Sequence, residues 1–328
     1  MISIPKNYYS NLSCYEEFVI RTNILGYDVS NDELYECLIG RDDNDIRLVY
    51  GNFYFFAVGD NANRHLCIID RKGNHIENAV IEGNFNCSSM DLTSLEGSPR
   101  EVGGYFNCSY NNLTSLEGAP REVGGNFECS ENKLISLKGS PYEVSGYFNC
   151  SYNKLTSLEG SPYKVGGIFD CSENKLISLE GSPIEVGEDF WCLRNNLTSL
   201  EGAPVKVGRD FDCSENKLIS LEGVSREVNG NFDCSSNSLT SLKGSPREVG
   251  GNFECSENKL ISLEGAPIEV GGYFDCSKNK LISLEGAPRE VDGSFWCSYN
   301  KLTDNQFRAY IKWLKTNPSS SYHDSYTT

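Results

Sequence analysis

The sequence predicts a β-rich solenoid: a stack of short coils with parallel strands along one side. Eleven cysteines stand 21 residues apart, from Cys87 and Cys108 through Cys192 to Cys276 and Cys297. Each sits in the same phrase, F-x-C-S-x-N-x-L-[TI]-S-L-[EK]-G-x-P-x-x-V-x-x-x. A fixed period of that length marks a repeat architecture, in which each unit buries its apolar side against its neighbours. The path between successive strands is short and holds both Gly and Pro. That suits extended or 3₁₀ segments and not an α-helix.

Within one coil each position has a physical role. Phe106 and Cys108 alternate with polar residues, the period-two pattern of a short half-buried strand. Asn111 recurs at every later coil up to Asn300. A buried amide there is expected to bond backbone groups of its own turn and of the next. Leu113 and Leu116 point inward, and Gly118 takes a conformation that a side chain would oppose. Pro120 stiffens the return, Val123 packs beneath it, and Gly124 and Gly125 turn the chain into the next strand. At Val224-Ser225 the Pro is missing, which is expected to loosen the convex edge locally.

The phrase F-x-C-S-x-N-x-L-T-S-L resembles the L-x-L-x-x-N-x-L core of leucine-rich repeats, with Phe and Cys in two of the leucine positions. The short period and the L-x-G-x-P return resemble the compact repeats of YopM-like bacterial type III effectors. The phrase is also similar to leucine-rich repeat proteins of bacteriophage genomes. The resemblance covers the array alone. It implies strands lining a concave face, an extended or 3₁₀ convex side, and the binding of another protein. It also implies a phage or bacterial product that blocks a host or defence protein. The ubiquitin-ligase activity of some such effectors is not expected, since Asp304 to Thr328 alone follow the last coil.

Three regions follow. Residues 1–80 break the period and read as a small α+β cap or an accessory module; 81–303 form the array; 304–328 form a capping helix and tail. In the first, Ser30-Asn31-Asp32-Glu33 reads as a helix start. Arg47 to Gly51, Asn52 to Val58, Leu66 to Asp70 and Ile76 to Ile81 read as strands, the last two about a turn at Arg71-Lys72-Gly73-Asn74. His65, Cys67, Asp70 and His75 crowd together but lack metal-ligand spacing, so no metal or cofactor is expected. Beyond the array, Phe307, Tyr310, Ile311 and Leu314 have helical spacing, and Asn317-Pro318 ends it.

The net charge is −17. Such an acidic surface repels phosphate backbones, so direct nucleic-acid or anionic-membrane binding is not expected and a protein with a basic patch is. Residues 1–20 hold Lys6, Glu16 and Glu17 and no long apolar run, unlike a signal peptide or anchor. The repeat cysteines fall in one column of adjacent parallel strands, about 4.8 Å apart, a poor fit to disulfide geometry. Buried free thiols point to a reducing, cytoplasmic setting.

Function is expected where the coils differ. The column after Phe reads mostly Asn and Asp, including Asp170 and Asp212, but carries Trp191 and Trp296. The column before Asn holds Tyr110, Tyr152 and Arg194; the column before Phe holds Tyr105, Tyr147 and Asp189. This describes an acidic face interrupted by aromatics. One coil stands apart, joining Asp189, Trp191, Leu193 and Arg194, and Leu193 is the sole departure from Ser in its column. Trp and Arg are enriched at binding hot spots. Tyr105, Tyr110, Tyr147 and Tyr152 are read as a second aromatic patch, and Trp296 and Tyr299 as packing on the terminal helix. Alternation of S-Y-N-x-L-T with S-E-N-K-L-I coils suggests growth by paired duplication. Catalysis is not expected: the array has no histidine, and regular carboxylates on a solvated face are usually just solvated. Two alternatives remain, an acidic mimic of nucleic acid that inhibits a DNA- or RNA-binding enzyme, and an active N-terminal module on an inert scaffold.

Overall fold

In the computed structural model the described residues are 46–49, 53–59, 62–70, 75–303, 305, 306, 308 and 312. The expected features at residues 1–20, 30–33, 71–74 and 317–318, and the apolar residues of the terminal helix, lie outside them. Asn305, Gln306, Arg308 and Lys312 are helical. No helix among the described residues is long and apolar enough to cross a membrane. The chain forms two compact units, one of Met1–Lys154 with Gly160–Pro162, the other of Leu155–Glu159 with Tyr163–Thr328.

The first unit opens with a three-stranded antiparallel sheet, β1 (Ile46–Val49), β2 (Phe53–Val58) and β3 (His65–Asp70). The strand expected over Ile76 to Ile81 is shorter. His75 makes a single bridge to Ile69, Asn78 turns the chain at φ 55°, and only Val80–Ile81 is extended. That pair joins Glu101–Val102 in parallel, so the coil stack starts there. The start of β3 seats on the first coil. Leu66 N–H donates to Glu96 O at 3.0 Å, the Arg64 carbonyl accepts from Thr93 at 2.8 Å, and Phe55 lies 4.4 Å from the Phe85 ring.

Each unit is then a parallel-strand solenoid. The two-residue strands beginning at Phe85, Phe106, Phe127 and Phe148 line the first unit, and seven from Phe169 to Phe295 line the second. Their rings stack at 5.1–5.8 Å between centroids. An interior coil buries Phe, Cys, two Leu and Val almost completely. That is about 1.5–3 kcal/mol for each large side chain before chain entropy is charged. The repeat cysteines and Cys67 are free thiols. Cys192 Sγ donates to the Asp212 carbonyl of the following coil at 3.3 Å. Burial pushes that thiol well above its ordinary range, which leaves it protonated and inert.

The asparagine column is a clamp. Asn132 Nδ2 donates to the Cys129 and Ser130 carbonyls of its own turn and to Cys108 O of the coil before, while its Oδ1 accepts from Leu113 N–H. It therefore reaches backward, not to the next turn as the sequence suggested. In the first coil, which packs on β3 and not on an earlier coil, Met90 takes the Asn position and is buried. Arg64 Nε caps the Met90 carbonyl at 2.9 Å.

The glycines divide their labour. Gly118 has φ +90°, as expected. Gly124 does not have a positive φ; a Cβ there would lie 2.2 Å from Gly103 O, so close approach of coils is what excludes a side chain. A second ribbon of two-residue strands runs behind the first. It is interrupted between Lys206–Val207 and Glu227–Val228, the coil that carries Val224-Ser225 in place of the proline dipeptide.

Candidate partner-binding face

The column after Phe faces outward but is half-buried. Its Asn and Asp side chains fold back on the chain. Asp170 Oδ1 accepts Ser172 N–H at 2.9 Å, and Asp212 Oδ1 accepts both the N–H and the hydroxyl of Ser214. These are Asx turns, which bend the strand end towards the buried Asn. So the acidic row is partly a turn device and only partly a free surface. Burial raises the Asp212 carboxyl above its ordinary range and pushes Asp233 to about 6, each against the pull of its serine hydrogen bonds.

The column before Asn lies past the strand, in the left-handed region, at φ 51–58° for every coil from Ser89 to Tyr299. Tyr110, Tyr152 and Arg194 thus project from a turn. Arg194 donates to Glu173 at 2.7 Å and Glu215 at 2.9 Å, one carboxylate on each neighbouring coil. These bonds raise its already high pKa further. As exposed, solvent-screened pairs they add little to stability.

The column before Phe is a strut. Asp189, read from the sequence as partner-facing, is 8% exposed, and its Oδ1 accepts Asp210 N–H of the next coil. Asp210, Asn231 and Asn252 repeat the bond in turn. Tyr105 and Tyr147 occupy this column, half-buried, before the strand, whereas Tyr110 and Tyr152 follow it, exposed. The four therefore form two flanks and not one patch, with Asn107, Glu128 and Asn149 between them. The Tyr147 hydroxyl donates to Glu128 at 2.5 Å, and Asn107 Nδ2 donates to the same carboxylate. Burial first, and this bond second, push Tyr147 to about 12. Tyr273 and Glu254 make the same pair. A signal for it was present in the sequence, since both glutamates of the column after Phe are followed by tyrosine 19 residues on.

Trp191 and Leu193 remain partly exposed. In register, Trp191 lies between Asp170 and Asp212. Leu193 breaks a line of serines: the Ser109 and Ser130 hydroxyls bond each other at 3.1 Å, but Ser172, which precedes Leu193 in that line, has a buried hydroxyl with no partner. At the far end Trp296 stacks on Tyr273 at 4.6 Å and Tyr299 is 75% exposed, so Tyr299 is not packed away as expected. No three His, Cys, Asp or Glu side chains among the described residues group to hold a metal.

These coils define a leucine-rich repeat fold with a 21-residue period. No family model matches the sequence, and no curated protein matches it by sequence. Among solved structures it is similar to YopM from Yersinia enterocolitica WA-314, at 23% identity and a TM-score of 0.56 over 69% of this chain. This chain spans 49% of that one, about half its length. It is also similar to the leucine-rich repeat domain of APL1B, at 20% identity and TM-score 0.48, covering 69% of this chain and 67% of that one. A third is the functional domain of InlJ from Listeria monocytogenes, which includes a cysteine ladder, at 21% identity and TM-score 0.39, covering 72% of this chain and 62% of that one.

Proposed function

We propose that this chain is a non-catalytic, cytoplasmic protein-binding solenoid whose second unit takes a partner with a basic patch. The observation that carries this is the Trp191 coil. A tryptophan and a leucine stay partly exposed two residues apart, between Asp170 and Asp212 on the adjoining strands. Leu193 stands where every other coil has serine, and the Ser172 hydroxyl of the coil before it is buried without a partner, a local departure from the repeat of the kind functional sites carry. The carboxylates would steer a basic partner, and Trp191 with Leu193 would anchor it. Arg194, held between Glu173 and Glu215, sits at the edge of this site and orders it. The action is occlusion, in the setting the repeat resemblance suggests: a phage or bacterial product that blocks a host or defence protein. The seating of β3 on the first coil favours a capping role for the N-terminal region. Nucleic-acid mimicry is less favoured, because Trp191 interrupts the carboxylate row.

The test is affinity capture with the full chain, wild type against Trp191→Ala/Leu193→Ser. Serine is the native residue of that column, so the fold is retained. Loss of a specifically recovered protein at unchanged melting temperature is expected. Equal recovery would overturn the assignment of the site.

A further inference from the structure

The second unit carries another surface, away from the acidic row and built from three columns that the partner site does not use. Directly after the clamp asparagine stand Lys175, Lys217, Lys259 and Lys280, each one position past an Asn and exposed. Two positions on stand Ile177, Ile219, Ile261 and Ile282, each more than half exposed. Three further on are Glu180, Glu201, Glu222, Glu264 and Glu285, also exposed, with one exception in the column, Lys243, which pairs with Glu222 at 3.7 Å. Backbone bonds lock this segment coil to coil, Lys217 N–H to Leu197 O at 2.9 Å and Leu179 N–H to Glu201 O at 3.2 Å being examples. The surface is thus three parallel rows in the order lysine, isoleucine, glutamate. Among the described residues no ion pair joins the four lysines of the first row to a carboxylate; Lys217 and Lys259 hydrogen-bond the neutral Asn196 and Ser238 instead. Paired duplication does not account for the middle row, because Lys280 and Ile282 directly follow Lys259 and Ile261 without the intervening threonine coil.

We propose that this face binds the same face of a second copy of the chain. The order of the rows selects the symmetry. A two-fold axis along the stacking direction lays the isoleucine rows on each other and sets each lysine row against the partner's glutamate row. A two-fold across that direction would oppose lysine to lysine. Both copies carry the same 21-residue period, so with the coils in register the four Lys–Ile–Glu coils, at 175–180, 217–222, 259–264 and 280–285, each meet their own copy in the partner, which an unrelated partner does not guarantee. Such an isologous contact closes on itself and gives a dimer, not a filament. Exposed β-branched apolar rows of this kind mark interaction surfaces.

Sedimentation velocity of the full chain in low salt, up to about 100 µM, tests this over the range where an interface of ordinary size is occupied. A concentration-dependent dimer is expected; a monomer throughout, or open-ended assembly, overturns the proposal. Replacing Ile177, Ile219, Ile261 and Ile282 with Thr, native to this column at Thr198 and Thr240, should weaken the dimer at least about tenfold with the melting temperature held. An unchanged dimer places the contact elsewhere. The decisive arm reverses charge. A variant with the four lysines changed to Glu, and another with Glu180, Glu201, Glu264 and Glu285 changed to Lys, should each be monomeric alone and form a mixed dimer together. Failure of the mixture to pair, with both variants folded, overturns the two-fold arrangement.

Discussion

Trp191 and Trp296 occupy the same column of the repeat, five coils apart, and their backbones do the same thing: each carbonyl accepts the N–H and the thiol of the cysteine one coil earlier. Both replace an Asx acceptor, so both coils lack that local turn bond. Their side chains differ in company. Trp296 lies on Tyr273, whose hydroxyl is tied to Glu254. Trp191 is placed between two aspartates, next to a leucine where serine is the rule. The same residue in the same frame thus stacks on a tyrosine at one position, where it is still 37% exposed, and lies between two carboxylates at the other, half-buried, and the neighbouring coils decide which. On a solenoid, a side chain's role is read across coils and not along the chain.

The largest effect that would break this comparison comes from the clamp common to both coils. Asn195→Ala removes donors from the Cys171, Cys192 and Leu193 carbonyls and the acceptor for Leu176 N–H. Buried polar groups left unpaired should cost about 3–5 kcal/mol in urea denaturation. The same change at Asn300, in the last coil, should cost less, since terminal coils open locally. Equal losses would show that the stack melts as one block. Next, Trp296→Ala should cost about 1 kcal/mol through the lost stacking on Tyr273, and Trp191→Asn, which restores a turn acceptor, should fall within about 0.5 kcal/mol of wild type. A large loss at Trp191 would make it packing too.

Acidity gives a third test, of similar size. Unfolded aspartate titrates near about 3.9, whereas Asp233 in the coil titrates at about 6 because burial disfavours its charge. A carboxyl raised on folding weighs against the fold when ionised. Stability should therefore rise, by about 1–2 kcal/mol, as pH falls from about 7 to about 4. Trp191→Asp adds a carboxylate beside Asp212 and should steepen that rise; a flat profile would show the row to be fully solvated. Smallest are the left-handed turn positions. Tyr299→Gly should raise stability by about 0.5 kcal/mol by relieving its positive φ. Arg194→Gly gains the same relief but loses two exposed ion pairs, and should fall near zero.

The buried columns were legible because burial and period coincide: Phe, Cys, Leu and Val each recur with one role in every coil, and their number fixes the fold. The outward columns were less so, since one letter serves two purposes there. Asp in the column after Phe can be surface charge or a turn acceptor, and only the distance from Asp212 to Ser214 separates them. Position alone did not reveal that Tyr110 stands on a left-handed turn. The Tyr147–Glu128 pair could have been found, because its partners co-occur at a constant offset in two coils. The exposed isoleucines sit between buried leucines, Leu176 and Leu179 about Ile177, and the repeat phrase alone did not separate them from the core.

The backward reach of the clamp gives the stack a grammar of growth. Every coil with an asparagine brings its own fastening to whatever precedes it, so a 21-residue copy placed inside either unit arrives already able to hold on and be held. The Met90 coil has no such fastening and belongs only at the beginning. Length is then the cheapest property for this protein to change, while its starting point is fixed by a single methionine where every later coil has an amide.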